Sequence, residues 1–147
     1  MSIYRNINSQ PIVLASDHAG FKLKELIKKY LIKKRKKFLD LGTKNINSVD
    51  YPDFAHLLAK KIKKKQFGIL ICGSGIGMNM AANRHKNIRA ASCYNIKSTK
   101  LSRMHNNANV MTIGARLTTK NVVLKCINVF INTSFEGARH LKRVNKI

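Results

Sequence analysis

Three groups of residues in this chain could do chemistry. The first is Cys72-Gly73-Ser74-Gly75-Ile76-Gly77, which follows the apolar, β-branched run Phe67-Gly68-Ile69-Leu70-Ile71 and leads into a helix-like segment. Strand, glycine turn and helix in that order build an anion pocket. N–H groups left free at a helix start converge on whatever sits there, and the helix dipole favours negative charge. A thiolate is stabilised at such a position, which suits Cys72 to act as base or nucleophile. A cysteine that closes a buried strand can equally be a packed thiol. The second group is Asp17 and His18 in Ser16-Asp17-His18-Ala19-Gly20, just past the run Ile12-Val13-Leu14-Ala15. The third is Arg139 and Arg143, whose spacing puts them on one helix face about 6 Å apart. Two forked guanidiniums so placed can clamp a phosphate. Two more surface arginines on a basic chain is the plainer reading.

These residues need a scaffold, and the pattern supplies one. Strands are predicted at Ile12–Ala15, Lys37–Leu41, Phe67–Cys72, Arg89–Cys93 and Asn109–Ile113. Helices are predicted from Phe21 to about Arg35, from Pro52 to about Lys64, from Ile76, from Ile96 to His105 and over Asn121–Ile131. Thr133-Ser-Phe-Glu136 has capping-box spacing and predicts a last helix opening there and running toward Val144. Strands separated by helices imply βαβ units, a parallel sheet and an α/β fold. Such sheets bind ligands at the carboxyl ends of their strands. Asp17, His18, Cys72, Tyr94, Asn95, Gly114 and Arg116 all fall just beyond predicted strands, so an acid, an imidazole and a thiol should share one rim. Residues 1–10 read as a short leader that could be disordered, and 11–147 as one domain.

Composition narrows the function. The chain has 147 residues and 44% hydrophobic content, enough for a real core. No apolar stretch has the length of a membrane span. Cys72, Cys93 and Cys126 form no C-x-x-C pair, which argues against zinc and disulfides and fits a reducing cytoplasm. Cys93 and Cys126 lie in core-like patterns. A net charge of +23 suggests nucleic acid, but Lys, Asn and Ile supply 52 of 147 residues, and A/T-rich codons explain that bias. Aromatics do not alternate with the lysines as a stacking platform would need. A non-catalytic nucleic-acid-binding protein is therefore the weaker alternative. The loop spells G-x-G-x-G with Met78 in place of a third glycine and follows the third strand, which disfavours a dinucleotide site.

Seven motifs occur in register: Asp17-His18-Ala19-Gly20, Asp50-Tyr51-Pro52-Asp53, Cys72 to Gly77, Ala81-Ala82-Asn83, Leu101-Ser102-Arg103-Met104-His105-Asn106, Gly114-Ala115-Arg116, and Gly137-Ala138-Arg139-His140 through Arg143-Val144. Together they closely resemble the type-B ribose-5-phosphate isomerase family, which also contains galactose-6-phosphate and allose-6-phosphate isomerases. The resemblance implies a three-layer α/β/α sandwich on a five-stranded parallel sheet. It also implies a homodimer, sometimes a tetramer, with active sites shared between subunits and no metal or organic cofactor. The implied reaction interconverts ribose 5-phosphate and ribulose 5-phosphate through an enediolate, with a hexose 6-phosphate as the alternative substrate. Cys72 matches the family's general base. The amides of Gly73, Ser74, Gly75, Ile76 and Gly77 would hold the enediolate oxygen. Ser74 stands where many members carry Thr. His105, helped by Asn106, matches the imidazole that opens the sugar ring. Asp17 would relay protons between hydroxyls. Arg139 and Arg143 would clamp the phosphate, with His18 and Arg116 assisting, and Tyr51 would flank the sugar. Some members use a glutamate on the loop helix as base. Here Met78, Asn79 and Met80 offer no acid, which favours Cys72.

Overall fold

The computed structural model describes residues 10–147, so all but the last residue of the predicted leader lies outside it. Five strands form one parallel sheet: β1 (Ile12–Ser16), β2 (Phe38–Asp40), β3 (Gly68–Cys72), β4 (Ala90–Ser92) and β5 (Val110–Gly114), in the order β2-β1-β3-β5-β4. The three central strands are buried along their whole length, which explains their unbroken apolar runs: parallel sheets are covered on both faces. The edge strands β2 and β4 have three residues each and are only partly buried.

Side chains alternate across each strand and build two cores. Ile12, Leu14, Ile69, Ile71, Met111 and Ile113 face α1 (Phe21–Lys33) and α5 (Lys120–Asn132). Val13, Ala15, Leu70, Cys72 and Val110 face α2 (Tyr51–Lys61) and α3 (Ile76–Ala82). The result is the expected α/β/α sandwich. Helix α1 buries Leu23, Ile27 and Leu31 at i, i+4 spacing, together with Lys24, which is 0% exposed. Lys24 Nζ lies 2.7 Å from Asp40 Oδ2, so an ion pair pins α1 to edge strand β2. Pro52 occupies the first turn of α2, where its missing N–H costs nothing.

Helix α4 (Ile96–Asn106) packs against α5, and α6 (Arg139–Val144) packs against α4. The predicted capping box does not form. Thr133 ends α5 and donates its hydroxyl back to Val129 O at 2.6 Å. Residues 133–138 are irregular, and α6 opens only at Arg139. A threonine hydroxyl can bond the preceding turn as readily as cap the next one, and here the end of α5 takes it. Asn95 caps α4 by accepting from Ser98 N at 2.8 Å, and Tyr94 is exposed, so these two rim candidates are a helix cap and a surface ring.

Candidate active site

The strand order reverses between β1 and β3: β2 lies on one side of this pair, β5 and β4 on the other. Loops leaving the carboxyl ends at such a switch point diverge and leave a crevice. A cleft of about 300 Å³ lies there, lined by Asp17, Tyr51, Cys72, Gly73, Ser74, Gly77, Arg116 and Leu117. Seven of these were singled out from the sequence. Leu117 was not, although its place directly after Arg116 beyond β5 would have pointed to it.

Cys72 ends β3 and is 4% exposed. Gly75 N donates to its sulfur at 3.1 Å, so the helix-start amide meets the atom that would carry negative charge. Gly75 adopts φ +77°, and a Cβ there would stand 2.8 Å from the backbone of Gly114, which restricts the position to glycine. The turn leaving β5 closes on this loop: Ala115 N donates to Cys72 O at 2.8 Å and Arg116 N to Gly73 O at 3.0 Å. The Arg116 guanidinium is thereby held against Gly73. Ser74 Oγ accepts from Ile76 N at 3.2 Å and remains able to donate its own proton.

Asp17 Oδ1 accepts from Gly20 N at 3.0 Å, which caps the turn into α1 and leaves Oδ2 out of that bond. His18 Nδ1 accepts from Val49 N at 3.2 Å, so the neutral ring carries its proton on Nε2. Cys93 and Cys126 are buried away from the cleft, in the α1/α5 core. Burial pushes the Cys93 thiol up to about 12, which makes it inert as a base at neutral pH.

His105, Asn106, Arg139 and Arg143 do not line the cleft. The chain's path explains this. Helix α4 ends at Asn106 and delivers the chain to the amino end of β5, whereas Cys72 pairs with Gly114 at the carboxyl end. A five-residue strand separates these edges by about 16 Å. His105 stacks on His140 of α6 with ring centroids 4.2 Å apart and planes 13° from parallel, which places α6 at the same end. Glu136 Oε2 lies 3.3 Å from His140 Nε2 and 4.0 Å from His105 Nε2. Burial, then the His105 and Arg139 charges, lower the His140 pKa. His105, Glu136 and His140 each offer one ligand atom within 4.8 Å, the one such cluster among the described residues. Arg139 Nε stands 3.5 Å from His140 Nε2 and sets a positive charge against any cation there. From the sequence, His105 carries functional weight and Glu136 only a capping role, and no local pattern brings them to His140.

The comparisons identify the scaffold. The family model described as Ribose/Galactose Isomerase matches residues 12–147. The chain belongs to this family. Its relatives include a putative sugar phosphate isomerase of Rickettsia bellii, 46% identical over 92% of this chain and 96% of that protein. Among solved structures it resembles ribose 5-phosphate isomerase B from Thermotoga maritima, with a TM-score of 0.91 and 43% identity over 94% of this chain and 97% of that one. It also resembles ribose-5-phosphate isomerase B from Mycoplasma genitalium with bound ribulose-5-phosphate, with a TM-score of 0.90 and 42% identity over 94% and 93%. These family members are isomerases. Among the described residues no helix is long and apolar enough to cross a membrane.

Proposed function

We propose that this chain, through a single domain over residues 11–147, is an aldose–ketose isomerase that interconverts ribose 5-phosphate and ribulose 5-phosphate in the cytoplasm. The observation that carries the reading is Cys72 in the switch-point cleft with the Gly75 amide on its sulfur and Asp17 and Arg116 beside it. The ribulose-5-phosphate in the Mycoplasma genitalium relative supports the choice of sugar.

In the proposed reaction the Cys72 thiolate removes the proton from C2 of the open-chain aldose and returns it to C1. The enediolate oxygen forms against the amides of the Gly73–Gly77 loop, which need not reorganise as charge develops. Asp17 moves the balancing proton between the two oxygens, and Tyr51 flanks the sugar. No metal or organic cofactor takes part. The remaining machinery stands at the opposite edge of the same chain, so a second copy supplies it: its His105 and Asn106 open the ring, and its Arg139 and Arg143 hold the phosphate with His18 and Arg116 of the first. The active unit is then a homodimer with shared sites.

The test uses purified protein and ribose 5-phosphate. Cys72→Ala should lower turnover by about 10²–10⁴-fold, the usual contribution of a general base. Turnover left intact would remove Cys72 from that role. Cys72→Ala and His105→Asn chains should each be inactive alone and active when mixed. Random pairing gives each mixed dimer one intact site, so about a quarter of wild-type activity should return. No recovery after subunit exchange would refute the sharing.

A further inference from the structure

A second cavity lies at the other end of the sheet. It has a volume of about 720 Å³ and opens where β3, β4 and β5 begin. Exposed Lys63, Lys64 and Lys65 line it, as do half-buried Arg89 and Arg103, which is only 7% exposed. Ile62 and Phe67 give it an apolar part.

Its charge is uncompensated. The chain has 29 Lys and Arg but six Asp and Glu, and all six are placed elsewhere. Asp17 is in the cleft, Glu25 and Asp40 hold Lys24 and Lys28, Asp50 and Asp53 open α2, and Glu136 meets His140. Among the described residues neither Arg89 nor Arg103 has a carboxylate partner. Arg103 donates Nε to Thr133 O at 3.2 Å and Nη1 to Asn107 Oδ1 at 3.1 Å and to Ala108 O, and its Nη2 takes no part in these bonds. Arg89 donates Nε to Asn107 O at 2.9 Å, and neither Nη takes part. Two guanidiniums are thus fixed by neutral carbonyl and amide oxygens, with donors left over. Burial, and then the Arg89 charge, bring Arg103 down to about 10.

We propose that this cavity is a binding site for an organic phosphate of nucleotide size carrying at least two negative charges. Guanidiniums with spare donors bind phosphate oxygens in forked geometry, and lysines at the rim add field. A cavity of this volume is in the range of small-molecule sites and far exceeds one phosphate group. Ile62, Phe67 and the lysine stems meet the organic part. The site lies at the amino edge of the sheet, away from the Cys72 cleft, and its lining includes none of His105, Asn106, Arg139 and Arg143, which stand at the same edge.

The test is calorimetric titration with ADP, adenosine and pyrophosphate at physiological salt. ADP should bind once per chain with a micromolar dissociation constant, pyrophosphate at least fivefold more weakly, and adenosine not measurably. Lys63→Gln with Lys64→Gln, both exposed, should weaken ADP at least tenfold, and Arg89→Gln should do the same. Arg116→Gln and Arg139→Gln should leave binding unchanged. Loss in Arg116→Gln or Arg139→Gln instead would assign the anion to the isomerase machinery and overturn the proposal. So would several weak sites per chain indifferent to the lysine and Arg89 substitutions, which would mark diffuse attraction to a +23 surface.

Discussion

Gly77→Ala separates the construction of the site from the stability of the fold. A Cβ on Gly77 would stand 2.5 Å from Cζ and 2.6 Å from Cε2 of the Tyr51 ring, where ordinary contact begins at 3.4 Å. The ring must therefore move by about 1 Å or more. Tyr51 is 39% exposed, so it can swing toward solvent with little loss of packing. Gly77 lies in the first turn of α3, and alanine in a helix gains up to about 1 kcal/mol over glycine. The two effects nearly cancel, and stability should change by less than about 1 kcal/mol. Activity should not escape. Tyr51 and Gly77 both line the cleft, and a displacement of about 1 Å at a positioning group can cost about 10²-fold. The measurements are thermal unfolding and the kinetics of ribose 5-phosphate conversion. kcat/KM should fall at least tenfold while Tm stays within a few degrees. Tyr51→Ala in the same chain relieves the contact, so the double variant should lose no more than Tyr51→Ala alone. Wild-type kcat/KM in Gly77→Ala would refute the placement of Tyr51 against the sugar.

Gly114→Ala should behave in the opposite way. Its Cβ would meet Ser74 O at 2.5 Å, and backbone cannot step aside as a ring can, so denaturant unfolding should show a loss above about 2 kcal/mol. An unchanged midpoint would refute the closeness of the two loops. Asp40→Ala removes the main partner of buried Lys24 and should cost about 3 kcal/mol, read as a fall in Tm of about 10 °C. Burial raises the Asp40 pKa, but hydrogen bonds from Lys24, Lys28 and Gly42 take it below the usual value. With the folded pKa below the unfolded one, the pair's stabilisation is complete above the unfolded value and disappears as pH falls through the folded one. Wild-type protein should therefore lose stability below about pH 4 more steeply than Asp40→Ala. Prolonged dialysis against chelator should leave isomerase turnover unchanged, because the cleft offers a cation one carboxylate beside the Arg116 guanidinium.

The sheet was legible because its information is local. The runs at Ile12, Phe67 and Asn109 are continuous and β-branched, as doubly covered strands require, and each observed central strand begins and ends within one residue of its predicted span. The cleft residues were legible for the same reason: Asp17, Cys72 and Arg116 each come within three residues of the end of an apolar run, and every parallel strand points its carboxyl end the same way. The Thr133 capping box was misread because a local pattern had two partners available, and packing at the end of α5 chose between them.

By itself, then, the sequence determined the strands, their common direction and the thiol at the glycine loop. Only the tertiary structure decided which groups meet. It sent His105 and α6 to the far edge and gathered Glu136, His140 and His105 there. It also left Arg89 and Arg103 close enough for their charges to interact, without a carboxylate partner among the described residues. The physical reason is that strand and helix periodicity is written in neighbouring residues. The meeting of side chains on different elements depends instead on strand order and helix direction, and no short stretch of sequence encodes either.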